Sequence, residues 1–183
     1  MATANPSCLP LDGWRANGVV WSPGGSVLLV PAARDDRFGL LRLVADAPFA
    51  GDAAHWSGGH RLVTRHPPGR GVLAAAFRPD GKELAIVSDL VHPEFRVALT
   101  GPAPKDLRTA PEADLPLAGC EVAWRPDGKE LAVVQGDPAC AAGSRPGPIV
   151  RVAVTDPRTV RTVVLRGRHP SWQPLYVSPA PAP

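Results

Sequence analysis

Three histidines, His55, His60 and His66, make the strongest case for metal chemistry in this sequence, because imidazole nitrogens bind metals well when several converge. Their separations of five and six residues fit neither one face of a helix nor alternate positions on one strand. They are expected to be polar turn and loop residues, with no metal site. Asp80 and Asp127, each followed by Gly and Lys, invite comparison with calcium loops. A calcium loop needs several oxygen donors in register, and a single carboxylate followed by lysine supplies too few. Cys120 and Cys140 bracket a predicted hairpin and would meet if the chain folds back after Gln135, which makes them a candidate disulfide pair. Cys8 is then left as a free thiol or the partner of something else. No G-x-S-x-G elbow, Walker loop, H-E-x-x-H helix or C-x-x-C pair occurs. The expectation is a chain with no catalytic residue and no cofactor.

What must position these residues follows from composition and repetition. The chain has 183 residues, 44% hydrophobic and 20% charged, enough for a sizeable core. Its 23 prolines and 18 glycines suit many short strands and turns, and prolines interrupt most windows long enough for a helix. The net charge of +3 is unevenly placed: residues 143–183 carry six Arg against Asp156, a net of +5, leaving −2 for the rest. That tail has Trp172 and Tyr176 but no Lys, a poor match to the clustered basic and aromatic residues of nucleic-acid binding. Arg151, Arg158 and Arg161 read instead as solvent-facing strand positions whose intervening valines point inward. The start of the chain has neither the basic residues nor the apolar run of a signal peptide, and every apolar run is strand-sized, so no membrane insertion is expected. A disulfide would imply an oxidising compartment and an export signal upstream; without it, the chain reads as cytoplasmic.

One motif recurs. FRPDGKELAIVSD begins at Phe77 and WRPDGKELAVVQG at Trp124, with Arg78 to Ala85 identical to Arg125 to Ala132 at a spacing of 47. A weaker copy, WSPGGSVLLV, begins at Trp21, and a last one opens at Trp172 as WQPL. In each full copy Pro79 or Pro126 sets φ for the first corner of a type I turn, and Asp80-Gly81 or Asp127-Gly128 closes it with a left-handed residue. Strands should flank the turns: Leu73 to Phe77 and Glu83 to Val87, then Glu121 to Trp124 and Glu130 to Gln135. The runs LAIV and LAVV are apolar at every position, as expected of a strand covered on both faces. Weaker strands are expected at Phe95 to Leu99, Ile149 to Val154 and Thr159 to Leu165. Trp21, Phe77, Trp124 and Trp172 recur once per unit and are expected to pack between units.

These hairpins, WSPGG, FRPDGKELAIVSD and WRPDGKELAVVQGD, together with the closing HPSWQPL, resemble the repeat of TolB-type, WD40-like bacterial propellers over about residues 18–175. The resemblance implies an all-β fold, a β-propeller of antiparallel blades, and an interaction role with no catalytic residue carried over. Residues 1–17 form a lead-in, 18–175 the blades (hairpins at 21–30, 77–88 and 124–135, a stub at 172), and 176–183 a Pro/Ala-rich tail. AAHWSGGHRLVTR, from Ala53 to Arg65, is either a shortened blade or the outer strands of the first one.

Three to four blades are too few for the six usual in the family, so the ring is expected to be incomplete. A cut parent protein, assembly of several copies, or a compact open or four-bladed structure would each explain this. The expected function is a binding or scaffold module, taking protein partners or a ligand through the connectors Arg65 to Gly71, Gly101 to Ala118 and Asp137 to Gly147. The alternatives are a gating propeller of a prolyl-oligopeptidase-like hydrolase and an extracytoplasmic sensor of a membrane-anchored regulator.

Overall fold

The computed structural model describes residues 13–16, 18–35, 37–44, 61–62, 71–89, 94–101, 113–136 and 147–172. All regular structure in them is β. The Pro-Gly turns leave strands of two to twelve residues, and all the pairings between them are antiparallel.

The first sheet is built around β3 (Val27–Arg34) and β4 (Arg37–Val44), which pair along their whole length from Val27↔Val44 to Arg34↔Arg37. The other edge of β3 is shared by β1 (Arg15–Ala16) and β2 (Val20–Trp21), and β5 (Arg61–Leu62) adds to β4. The stretch from Ala53 to Arg65 thus contributes an outer strand to the first sheet. The second sheet is β6 (Val72–Phe77), β7 (Leu84–Ser88), β8 (Arg96–Thr100) and β9 (Ala113–Ala118), in that order. The third repeats it with β10 (Glu121–Trp124), β11 (Glu130–Val134), β12 (Gly147–Ala153) and β13 (Asp156–Gly167).

Two placements differ from the sequence reading. Ala113 to Ala118, expected within a long connector, is strand β9. Pro116 argues against a strand in the middle of a sheet, but β9 is an edge strand, where a missing N–H costs no ladder bond. The valines of the last strands divide: Val150 and Val152 on β12 are buried, whereas Val160, Val163 and Val164 on β13 are exposed. Strand side chains point out of the two sheet faces, and the core between the second and third sheets takes its third-sheet residues from β10, β11 and β12, leaving those of β13 outside it.

The core lies between sheets. Every residue of β7 is buried, with Ala85 and Val87 packing toward the third sheet and Leu84 and Ile86 toward the first. A strand with a neighbour on both faces must be apolar at consecutive positions, which is the physical content of the LAIV run. Leu131, Val133, Val150 and Val152 answer from the third sheet, and Leu29 and Leu40 from the first. The outer face of the first sheet holds a smaller cluster of Leu28, Val30, Leu41 and Leu43, against which Trp14 packs. β6 lies beside both β2 and β10, and the last strands stand farther apart, so the sheets fan out from an inner edge.

Candidate functional site

The hairpin is the unit from which the molecule's contacts are built. In the second sheet the Gly81 N–H donates to the Arg78 carbonyl (2.9 Å) and the Arg78 N–H to the Glu83 carbonyl (2.9 Å), while Gly81 takes φ of 72°. The third sheet repeats this through Gly128 to Arg125 (2.8 Å) and Arg125 to Glu130 (2.8 Å), with Gly128 at 68°. A positive φ of this size suits glycine because any Cβ crowds the following carbonyl. Asp80 and Asp127 face their own turns: Asp80 Oδ1 accepts from the Lys82 N–H and Asp127 Oδ1 from the Lys129 N–H, each at 3.0 Å.

The arginine after each aromatic residue serves both its own hairpin and the next sheet. Arg78 pairs with Asp80 (3.4 Å) and Glu83 (2.6 Å), and Arg125 with Asp127 (3.5 Å) and Glu130 (2.9 Å). Held this way, the Arg78 guanidinium lies over the ring of Trp124, 5.8 Å from its centroid, and Arg125 stands at the same distance from Trp172. The same indoles reach back: Trp124 Nε1–H donates to the Ala76 carbonyl at 2.9 Å, and Trp172 Nε1–H to that of Ala123 at 3.2 Å. The second and third sheets are therefore latched by one cation–π contact and one hydrogen bond, and Trp172 is held to the third sheet by the same pair of contacts.

The first sheet lacks both halves of this latch. Ser22 stands where Arg78 and Arg125 stand, and its hydroxyl accepts from the Val27 N–H at 3.0 Å. The aromatic of the second sheet is Phe77, which has no N–H to donate. The double variant Ser22→Arg with Phe77→Trp is expected to show a favourable coupling of about 0.5–1 kcal/mol in a double-mutant cycle read by urea unfolding. Additive effects would show that the two positions do not communicate.

Sequence reasoning located the aromatic residues and turns but missed the arginine's second role. The signal was present, since Arg follows the aromatic in both strong copies and Ser in the weak one. Of the aromatics, Trp124 is buried, Phe77 and Trp172 are half-buried, and Trp21 is exposed. Cys120 is disulfide-bonded. Cys140 and Cys8 lie outside the described residues, as do His55, His60 and His66 and most of the connectors. Among the described residues no group of three or more His, Cys, Asp or Glu is placed to hold a metal ion, and no helix is long and apolar enough to cross a membrane.

Antiparallel sheets of four and five strands, packed face to face, fanned from an inner edge and repeating one hairpin, define part of a β-propeller. No family model matches the chain, and no curated protein matches it. Among solved structures, it is similar to a protein described as a TolB from Agrobacterium tumefaciens, with a TM-score of 0.51, 16% identity, and coverage of 81% of this chain and 47% of that one. It is also similar to the hydrazine synthase of Kuenenia stuttgartiensis, with a TM-score of 0.50 and 16% identity over 85% of this chain and 36% of that one. The chain spans less than half the length of either. At this identity the likeness shows the fold alone.

Proposed function

We propose that the chain is part of a non-catalytic, TolB-type, WD40-like propeller that binds protein partners through the connectors between its strands. The observation that carries this reading is how the repeated residues are used. Arg78, Asp80, Gly81, Glu83 and Trp124, with their counterparts, are committed to holding hairpins and joining blades. A scaffold held by its repeat leaves recognition to the segments that differ between blades, 102–112 and 137–146 among them. The disulfide at Cys120 favours an oxidising, extracytoplasmic compartment.

Photo-crosslinking residues placed at Ala103 and Ala142 should capture the same partner in cells, whereas one at Lys129, on a hairpin tip, should not. Capture from Lys129 alone, or turnover of peptide or ester substrates by the purified chain, would overturn the proposal. Peptide mapping without reduction should recover Cys120 linked to Cys140. A link to Cys8 would instead tie the lead-in to the third blade.

A further inference from the structure

We propose that β13, the outer strand of the third blade, is a docking strand for an extended acidic segment of another protein, which would add to the blade as a fifth strand. This surface is separate from the connectors invoked above and does not depend on their role.

β13 is the longest strand among the described residues, at 12 residues, and stands at the end of its sheet. Thr159, Val160, Thr162, Val163 and Val164 are β-branched, the composition that best suits an extended backbone. Val163 is 61% exposed and Leu165 82%, so the centre of the strand offers apolar side chains to solvent. Proteins usually guard such an edge with charged side chains, proline, bulges or short length. Here Pro157 stands at the beginning and bulges interrupt the pairing with β12 beside Gly147, Ile149 and Val152, yet the strand continues to Gly167 and its charged side chains after Asp156 are all basic.

Charge selects the occupant. Arg158, Arg161, Arg166 and Arg168 are exposed, and none forms an ion pair with a described residue. Arg161 lies directly opposite Arg151, which is already paired with Glu130 at 3.3 Å, so its cross-strand neighbour is a like charge. Among the described residues the acids beside the third blade are engaged elsewhere: Glu130 with Arg125 and Arg151, Asp156 with the Thr159 hydroxyl at 2.6 Å, and Glu121 with the His169 backbone N–H. A second copy is a poor occupant. Antiparallel pairing of two β13 strands about their apolar centre would set Arg161 against Arg166 on both sides. A strand bearing carboxylates between apolar residues satisfies the backbone edge, the exposed valines and the arginines together.

The test uses the full chain and a fluorescein-labelled peptide of about ten residues alternating Glu and Val. Anisotropy should show saturable binding at low salt, weakened about tenfold by physiological salt and again about tenfold by R161E/R166E. The pair R161K/R166K should retain most of the binding, and the peptide should slow hydrogen exchange across residues 158–166. Both variants change exposed residues, and an unchanged thermal melt establishes that they fold. Absence of binding at low salt, full binding by R161E/R166E, equal affinity for a Lys–Val peptide, or exchange protection away from β13 would each overturn the proposal. So would self-association with protection of β13, which makes a second copy the occupant. Arginine-dependent binding to anionic vesicles without peptide binding would overturn it in favour of a membrane surface.

Discussion

Trp124→Ala is expected to cost about 3–5 kcal/mol in urea unfolding, the range for truncating a large buried aromatic. The indole is buried in the core shared by the second and third blades, where Ala85, Val97, Leu131 and Val133 also lie. Its loss leaves a cavity between packed sheets, frees the Ala76 carbonyl and removes the ring beneath Arg78. Trp124→Phe separates these effects, because it keeps an aromatic ring and removes the N–H, as Phe77 does in the preceding blade. It is expected to cost about 1–2 kcal/mol, close to one hydrogen bond and a weakened cation–π contact. Equal losses for the two variants would show that the latch, and not the buried volume, holds the blades.

Gly128→Ala is expected to cost about 2–3 kcal/mol, and Gly81→Ala only about 1–2 kcal/mol, although the two glycines occupy the same place in the repeat. Both have φ near 70°, so both variants pay for a left-handed alanine. They differ in what the new methyl meets. At Gly81 the nearest atom is Pro23 Cγ at 3.9 Å, an ordinary contact. At Gly128 the methyl would fall 2.9 Å from Arg78 Nε and 3.3 Å from its Cγ, so the arginine has to move. Arg78 cannot shift without disturbing its carboxylates or its stack on Trp124. Chemical denaturation of both variants tests this, and equal costs would show that Arg78 relocates freely.

What the sequence revealed and what it hid divide along the range of the interactions. Pro79-Asp80-Gly81 and Pro126-Asp127-Gly128 are legible because a turn is made by residues in contact along the chain. The strands beside them are legible because burial on both faces demands the unbroken runs LAIV and LAVV. β9 was read as connector because Pro116 is acceptable only at a sheet edge, and whether a strand is an edge depends on the order of all four. The exposed valines of β13 were misread for a related reason: a valine among arginines looks alike whether or not another sheet covers its strand. The latch was hidden by distance, since Arg78 and Trp124 are 46 residues apart. The comparison of Ser22 and Phe77 with their counterparts becomes meaningful only when the blades are side by side.

The missing latch between the first and second blades gives the stack a direction. In a linear array the stability of each unit depends on its own fold and on its contacts with immediate neighbours. Here one boundary carries the guanidinium–indole contact and the indole hydrogen bond, while the other relies on the cluster of Leu29, Leu40, Leu84 and Ile86. Thermal fluctuations should then separate the first blade as a unit while the second and third remain joined. The molecule would fray from one end, as a zipper opens from its weaker teeth, and the weaker seam is where an invading chain would meet least resistance.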